Sequence, residues 1–92
     1  MTTISAKLTF HIPHARSLKD KRMVARGIID KTRKFNAAVA EVDTQDIHTA
    51  PTIGVAVVSC KYSHARDMLD EIIRFMEDNA DGELMSVEML HE

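Results

Sequence analysis

From residue 3 to residue 12 the chain alternates. Ile4, Ala6, Leu8, Phe10 and Ile12 fall on one side of an extended segment, and Ser5, Lys7, Thr9 and His11 on the other. A period of two is the mark of a half-buried strand, and Pro13 ends it. The period then changes. At 100° per residue Leu18, Ala25, Ile28, Ile29 and Thr32 share one face of a helix over about 18–34. Ser17 is placed as its N-cap, with Asp20 three positions on as a short variant of the capping box. Residues 35–43 read as a second strand, and 44–52 as a polar loop that contains Pro51. Residues 53–60 are apolar on both faces, as a central strand is. Ser63 is placed as the cap of a second helix over about 64–79. Ala65, Met68, Leu69, Ile72 and Met76 form its inner face, and Asp67, Asp70, Glu71, Glu77 and Asp78 its acidic outer face. Asp81-Gly82 makes a turn, and 83–90 alternate again with Met85, Val87 and Met89 on one side.

The order β-α-β-β-α-β predicts an α+β fold: one ferredoxin-like sandwich over residues 1–92, two helices on one face of a four-stranded antiparallel sheet. Such a fold leaves one sheet face open. The central strand would present either Ile53, Val55 and Val57 or Gly54, Ala56 and Val58 there. An apolar open face marks a partner surface, so a homodimer through the sheet face or an edge is expected.

Composition agrees with a compact domain: 45% of the 92 residues are hydrophobic and only five are Gly or Pro. No apolar run approaches the ~20 residues of a membrane span, and the N-terminal residues lack a signal-peptide pattern, so no membrane partner is expected. The single cysteine, Cys60, excludes an internal disulfide and fits a reducing, cytoplasmic setting.

Charge changes the picture more. Residues 1–34 hold nine of the twelve Lys+Arg and two acids, a local net of +7; residues 35–92 hold three bases and twelve acids, a local net of −9. The overall net of −2 hides this division. The bases concentrate in the run Arg16-Ser-Leu-Lys-Asp-Lys-Arg22. Lys19, Arg22, Arg26 and Arg33 lie within about 60° of one another on a flank of the first helix. Lys21 sits inside the apolar arc, where its stem could snorkel past the end of the sheet. Bases in a first helical turn oppose the helix dipole, so local stability does not account for Lys19, Lys21 and Arg22. A concentrated positive stripe attracts phosphate. The candidate nucleic-acid-binding residues are therefore Arg16, Lys19, Lys21, Arg22, Arg26 and Arg33.

The residues His11-Ile-Pro, the run Arg16 to Arg22, Ala40-Glu-Val-Asp43 with Asp46, and Ile53-Gly-Val-Ala-Val-Val-Ser59 resemble the YlxP-like family of small bacterial proteins, a domain of unknown function. The resemblance spans nearly the whole chain. It implies a ferredoxin-like fold and a link to translation, because such proteins are often encoded beside elongation, initiation and ribosome-maturation factors. It carries no catalytic residues. His48 stands where relatives often have an aromatic, which speaks against stacking by that loop, and Cys60 where many have a polar residue.

The other constellations are weaker. Four aromatics in all, and none in the third strand, argue against sequence readout by base stacking. His11 and His14 form a single H-x-x-H across Pro13, without cysteine or close acids to complete a metal site. Cys60 precedes Ser63 and His64, but nothing orients it as a nucleophile; a small residue ending a buried strand is the plainer reading. An acylphosphatase-like hydrolase would share the topology, yet the segment from His11 to Arg16 has no glycine to form a phosphate cradle. The chain is thus expected to be a cofactor-free, metal-free, non-enzymatic protein that contacts structured RNA or a ribosomal subunit, with a protein–protein adaptor as the alternative.

Overall fold

The computed structural model describes residues 1–42 and 50–91, excluding the side chain of His91. Strand β1 (Thr2–His11) leads through the turn at Pro13 and His14 into helix α1 (Leu18–Thr32). Strands β2 (Ala38–Glu41) and β3 (Thr52–Ser59), helix α2 (Tyr62–Asn79) and strand β4 (Glu83–His91) follow. The sheet is antiparallel throughout and ordered β2-β3-β1-β4. β1 pairs with β3 from Thr2↔Ser59 to Thr9↔Thr52 and with β4 on its other side. The long alternating strand is therefore central, which is why its inward residues are the best buried.

The core lies between the helices and one face of the sheet. Ile4, Ala6, Leu8 and Phe10 of β1 and Ile53, Val55 and Val57 of β3 meet Ala25 and Ile28 of α1 and Ala65, Leu69, Ile72 and Met76 of α2. Each of these residues is buried, so removal of apolar area from water is the main stabilising term. Thr32 also lies inside, and its hydroxyl donates to the Ile28 carbonyl at 2.6 Å, which satisfies the buried oxygen within the helix.

Four local details depart from the sequence pattern. β2 spans 38–41 instead of 35–43. After α1 the chain turns twice, with Phe35 N donating to Thr32 O and Ala37 N to Phe35 O, and Phe35 packs edge-to-face on Phe75 at 5.1 Å; position 43 lies outside the described residues. α1 ends at Thr32, with Arg33 as its C-cap, and Leu18, placed on the inner face, is exposed. α2 begins at Tyr62, so Ser63 lies inside its first turn. The N-cap is Lys61, which makes no side-chain cap bond. The opening turns are held instead by Arg66, whose Nε donates to Asp70 Oδ1 at 3.1 Å. A bond with Tyr62 and the Asp70 carboxylate together keep its guanidinium above its ordinary pKa. In β4 the register against β1 shifts between Thr9 and Phe10, from Thr9↔Ser86 to Phe10↔Leu84. That bulge takes Met85 out of the alternation, leaving it exposed, and puts Leu84 on the core with Met89.

Two glycines differ in what they do. A Cβ on Gly82 would come within 2.6 Å of Ile12 Cγ2 and 3.1 Å of His11 O, so the turn into β4 closes on the end of β1 only without a side chain. A Cβ on Gly27, in the middle of α1, would meet nothing within 4 Å. Gly82→Ala should therefore destabilise the fold by about 1–3 kcal/mol through overpacking. Gly27→Ala should stabilise it by about 0.5–1 kcal/mol through helix propensity. Chemical denaturation of the two variants checks the opposite signs.

Candidate nucleic-acid interface

Helix α1 opens on a cap that the sequence anticipates. Ser17 has extended backbone, and its Oγ accepts from the Asp20 amide at 3.2 Å. The Asp20 carboxylate accepts in turn from the amide of Arg16 at 2.9 Å, one residue before the position that a capping box closes on. This reciprocal pair fixes how the β1-α1 loop enters the helix. Asp20 also offsets part of the conflict between the first-turn bases and the helix dipole.

The cap and the inner row then decide where each base goes. Arg16, Lys19, Arg22 and Arg26 are exposed, and none of them forms an ion pair with another described residue. Positions 19, 22 and 26 are spaced three and four apart, so they make one flank of the helix, and Arg16 extends it into the loop. Arg33, at the far end, is exposed but turned to Asp30, its Nε 3.1 Å from Oδ1. Surface pairs of this kind are weak and open readily to a competing anion.

Lys21 is the exception. Its side chain is 5% exposed, in line with Ala25, Ile28 and Thr32, and its Nζ lies 3.7 Å from Glu41 Oε2 at the end of β2. The buried ammonium ties α1 to the edge strand, and among the described residues no buried side-chain nitrogen or oxygen lacks a hydrogen-bond partner. The expectation that Lys21 contacts phosphate is thereby corrected: a side chain this enclosed does not reach a ligand without opening the fold.

The remaining candidates fall elsewhere. His14 Nε2 lies 3.8 Å from Asp81 Oδ2, and both side chains are exposed. No three His, Cys, Asp or Glu among the described residues converge as a metal site would require. Cys60 is exposed just beyond β3, not buried as the end of a strand. His48 and Asp46 lie outside the described residues. Phe10 is fully buried, and none of the four aromatics stands on the open face of the sheet. One feature escaped the sequence pattern. Phe35 and Phe75 form a pair over which the Lys34 ammonium sits, 5.3 and 4.1 Å from the ring centres. Forty positions separate the two rings, and no local periodicity reports a contact at that distance.

Two helices on one face of a sheet in this order define a ferredoxin-like domain. The chain belongs to the family described as Protein of unknown function (DUF503), whose model matches residues 3–89. It is 31% identical over 64 residues to Uncharacterized protein YlxP of Bacillus subtilis (strain 168), covering 68% of this chain and 70% of that protein. Among solved structures it is similar to the de novo designed protein LFR1 1 with ferredoxin fold, at TM-score 0.63 and 14% identity, over 100% of this chain and 88% of that one. The de novo designed protein Ferredog-Diesel aligns at TM-score 0.42 and 16% identity, over 95% of this chain and 84% of the design. The likeness to LFR1 1 concerns the fold alone. No helix of the described residues is long and apolar enough to cross a membrane.

Lys21→Ala should lower stability by about 2 kcal/mol, through the lost stem packing and the unpaired Glu41. Lys21→Met, which keeps the volume and removes the charge, should cost less or nothing. Urea denaturation of both variants checks the order.

Proposed function

We propose that this protein is a non-catalytic cytoplasmic binding protein that contacts structured RNA, on the ribosome or a precursor of it. The phosphate contacts fall to Arg16, Lys19, Arg22 and Arg26, with Arg33 at the margin. The observation that carries this reading is the row of four exposed bases on one flank of α1 with no acidic partner among the described residues. Arg supplies forked, bidentate donors to phosphate and Lys a point charge. The capped helix start beside Arg16 adds a favourable dipole. The bases stand on one helix and the loop that enters it, so recognition follows the backbone and shape of the RNA. The absence of an aromatic from the open sheet face agrees with that mode, because ferredoxin-like modules that read bases do so by stacking there. The translation context rests on the family resemblance.

The alternative, an adaptor whose basic flank meets an acidic protein surface, is equally salt-sensitive and is separated by nuclease treatment of the complex.

Binding to structured RNA should weaken by about a hundredfold between roughly 50 and 200 mM salt, as expected for about three to five neutralised phosphates. The triple substitution Lys19→Ala, Arg22→Ala, Arg26→Ala should lower affinity by more than about tenfold and flatten the salt slope by about three, while the thermal transition stays in place. Filter binding across a salt series, with circular dichroism of the variant, makes the test. An unchanged affinity in the folded variant contradicts the assignment, as does a flat salt response of the wild type.

A further inference from the structure

The face of the sheet turned away from the helices has a specific character. Opposite residues in paired strands point to the same side, so the registers Ser5↔Ala56, Lys7↔Gly54, Ala38↔Ala56 and Ala40↔Gly54 fix its members. Of the two sets that the sequence leaves open, Gly54, Ala56 and Val58 are the ones presented; Ile53, Val55 and Val57 are buried under the helices. Val42 lies across Gly54, where a Cβ would collide with it. Gly54, Ala56 and Val42, with Ala38, Ala40 and Leu90 and beside Ser5 and Lys7 of β1, line a shallow, mostly apolar trough of about 390 Å³. Val58 stands on the same face, outside the trough. Val42 and Val58 are 48% and 53% exposed. An isolated valine at the surface is ordinary, but a run of small apolar residues shared by two neighbouring strands, Ala38, Ala40 and Val42 beside Gly54, Ala56 and Val58, is not.

We infer that this open face is a self-association surface, and that its occupant is the same face of a second copy of the chain. Charge and area select that partner. The face carries Lys7 and Glu88, which oppose each other across β1 and β4 and lie 3.7 Å apart, so they leave it with no net charge from that pair. A neutral face meets its own copy without like-charge repulsion, and it gives neither a phosphate backbone nor a strongly charged protein anything to hold. Small side chains at Gly54, Ala56, Ala38 and Ala40 keep the surface flat enough for a second sheet to approach. Such stacked sheets lie ~10 Å apart. The molecule measures 42 × 22 Å across its two longer axes, so its flat face is at most roughly 900 Å², which leaves room for an interface of the standard ~800 Å² per partner. A two-fold pairing buries the trough of each copy on the other and closes without further growth. The helices lie on the opposite face, so the pair carries a basic flank outward on each side. The inference stands apart from the RNA reading and does not need it.

Sedimentation equilibrium of the full chain at about 100 µM, well above the dissociation constants of pairs of this size, should give twice the 10.3 kDa chain mass. Ala56→Glu, in the trough, and Val58→Lys, beyond it on the same face, should each weaken association by at least about tenfold with circular dichroism unchanged. Val87→Lys, on the helix-facing side of β4, should leave the dimer intact; Val58→Lys carries the test if Ala56→Glu does not fold. A wild-type mass of one chain overturns the inference. A dissociation constant, measured over a dilution series, that is unchanged in the folded Val58→Lys variant, or in Ala56→Glu where it folds, also overturns it, because association would then use another surface.

Discussion

The burial of one row of α1, Lys21, Ala25, Ile28 and Thr32, is the contact on which the rest depends. A helix that presses this row into the core has no freedom left in its rotation. Lys19, Arg22 and Arg26 must then point outward together, and Arg16 follows because the Ser17 and Asp20 cap sets the entry of the chain. The same row explains the one base that the flank loses. Lys21 occupies a position in the buried row, and its ammonium lies 3.7 Å from Glu41 at the edge of the sheet. A helix rich in bases is thus sorted by packing into an exposed set and one structural member.

Much of this was legible from periodicity. The alternation over β1 gave a half-buried strand and the doubly apolar β3 a central one, while the central place of β1 came only with the sheet order; the 3.6-residue rows of α1 and α2 gave two helices on one face, because a burial period is imposed by the layer a segment packs on. The cap at Ser17 was visible for the same local reason. What was not legible depends on contacts distant in the chain. The shortened β2 results from Phe35 turning to meet Phe75, and the displaced face of β4 from a bulge whose position only the register against β1 reveals. Lys21 sat in the apolar arc of the sequence pattern, yet its acidic partner is twenty positions away. The start of α2 was missed because Lys61 caps it without a side-chain bond, leaving Ser63 as a cap signal that the chain does not use.

The two faces of the domain divide the remaining surface by chemistry. The helical side carries the charge, basic on the flank of α1 and acidic on the outer side of α2. The open sheet face is apolar over β2 and β3, and its one ion pair among the described residues, Lys7 with Glu88, leaves it locally neutral. A phosphate-rich partner and a second copy of the chain would therefore not compete for the same residues. Acidic side chains at Asp67, Glu71 and Glu77 are exposed on α2, and they restrict the approach of a polyanion to the α1 side.

The most direct measurement is sedimentation of cell lysate through a low-salt sucrose gradient, with and without ribonuclease, comparing the wild type with the Lys19→Ala, Arg22→Ala, Arg26→Ala variant. The account predicts that the wild type travels with a ribosomal particle and that both nuclease and the substitutions return it to the top. A wild type that stays at the top, or one whose migration ignores nuclease, would contradict the claim that the exposed bases of α1 hold RNA.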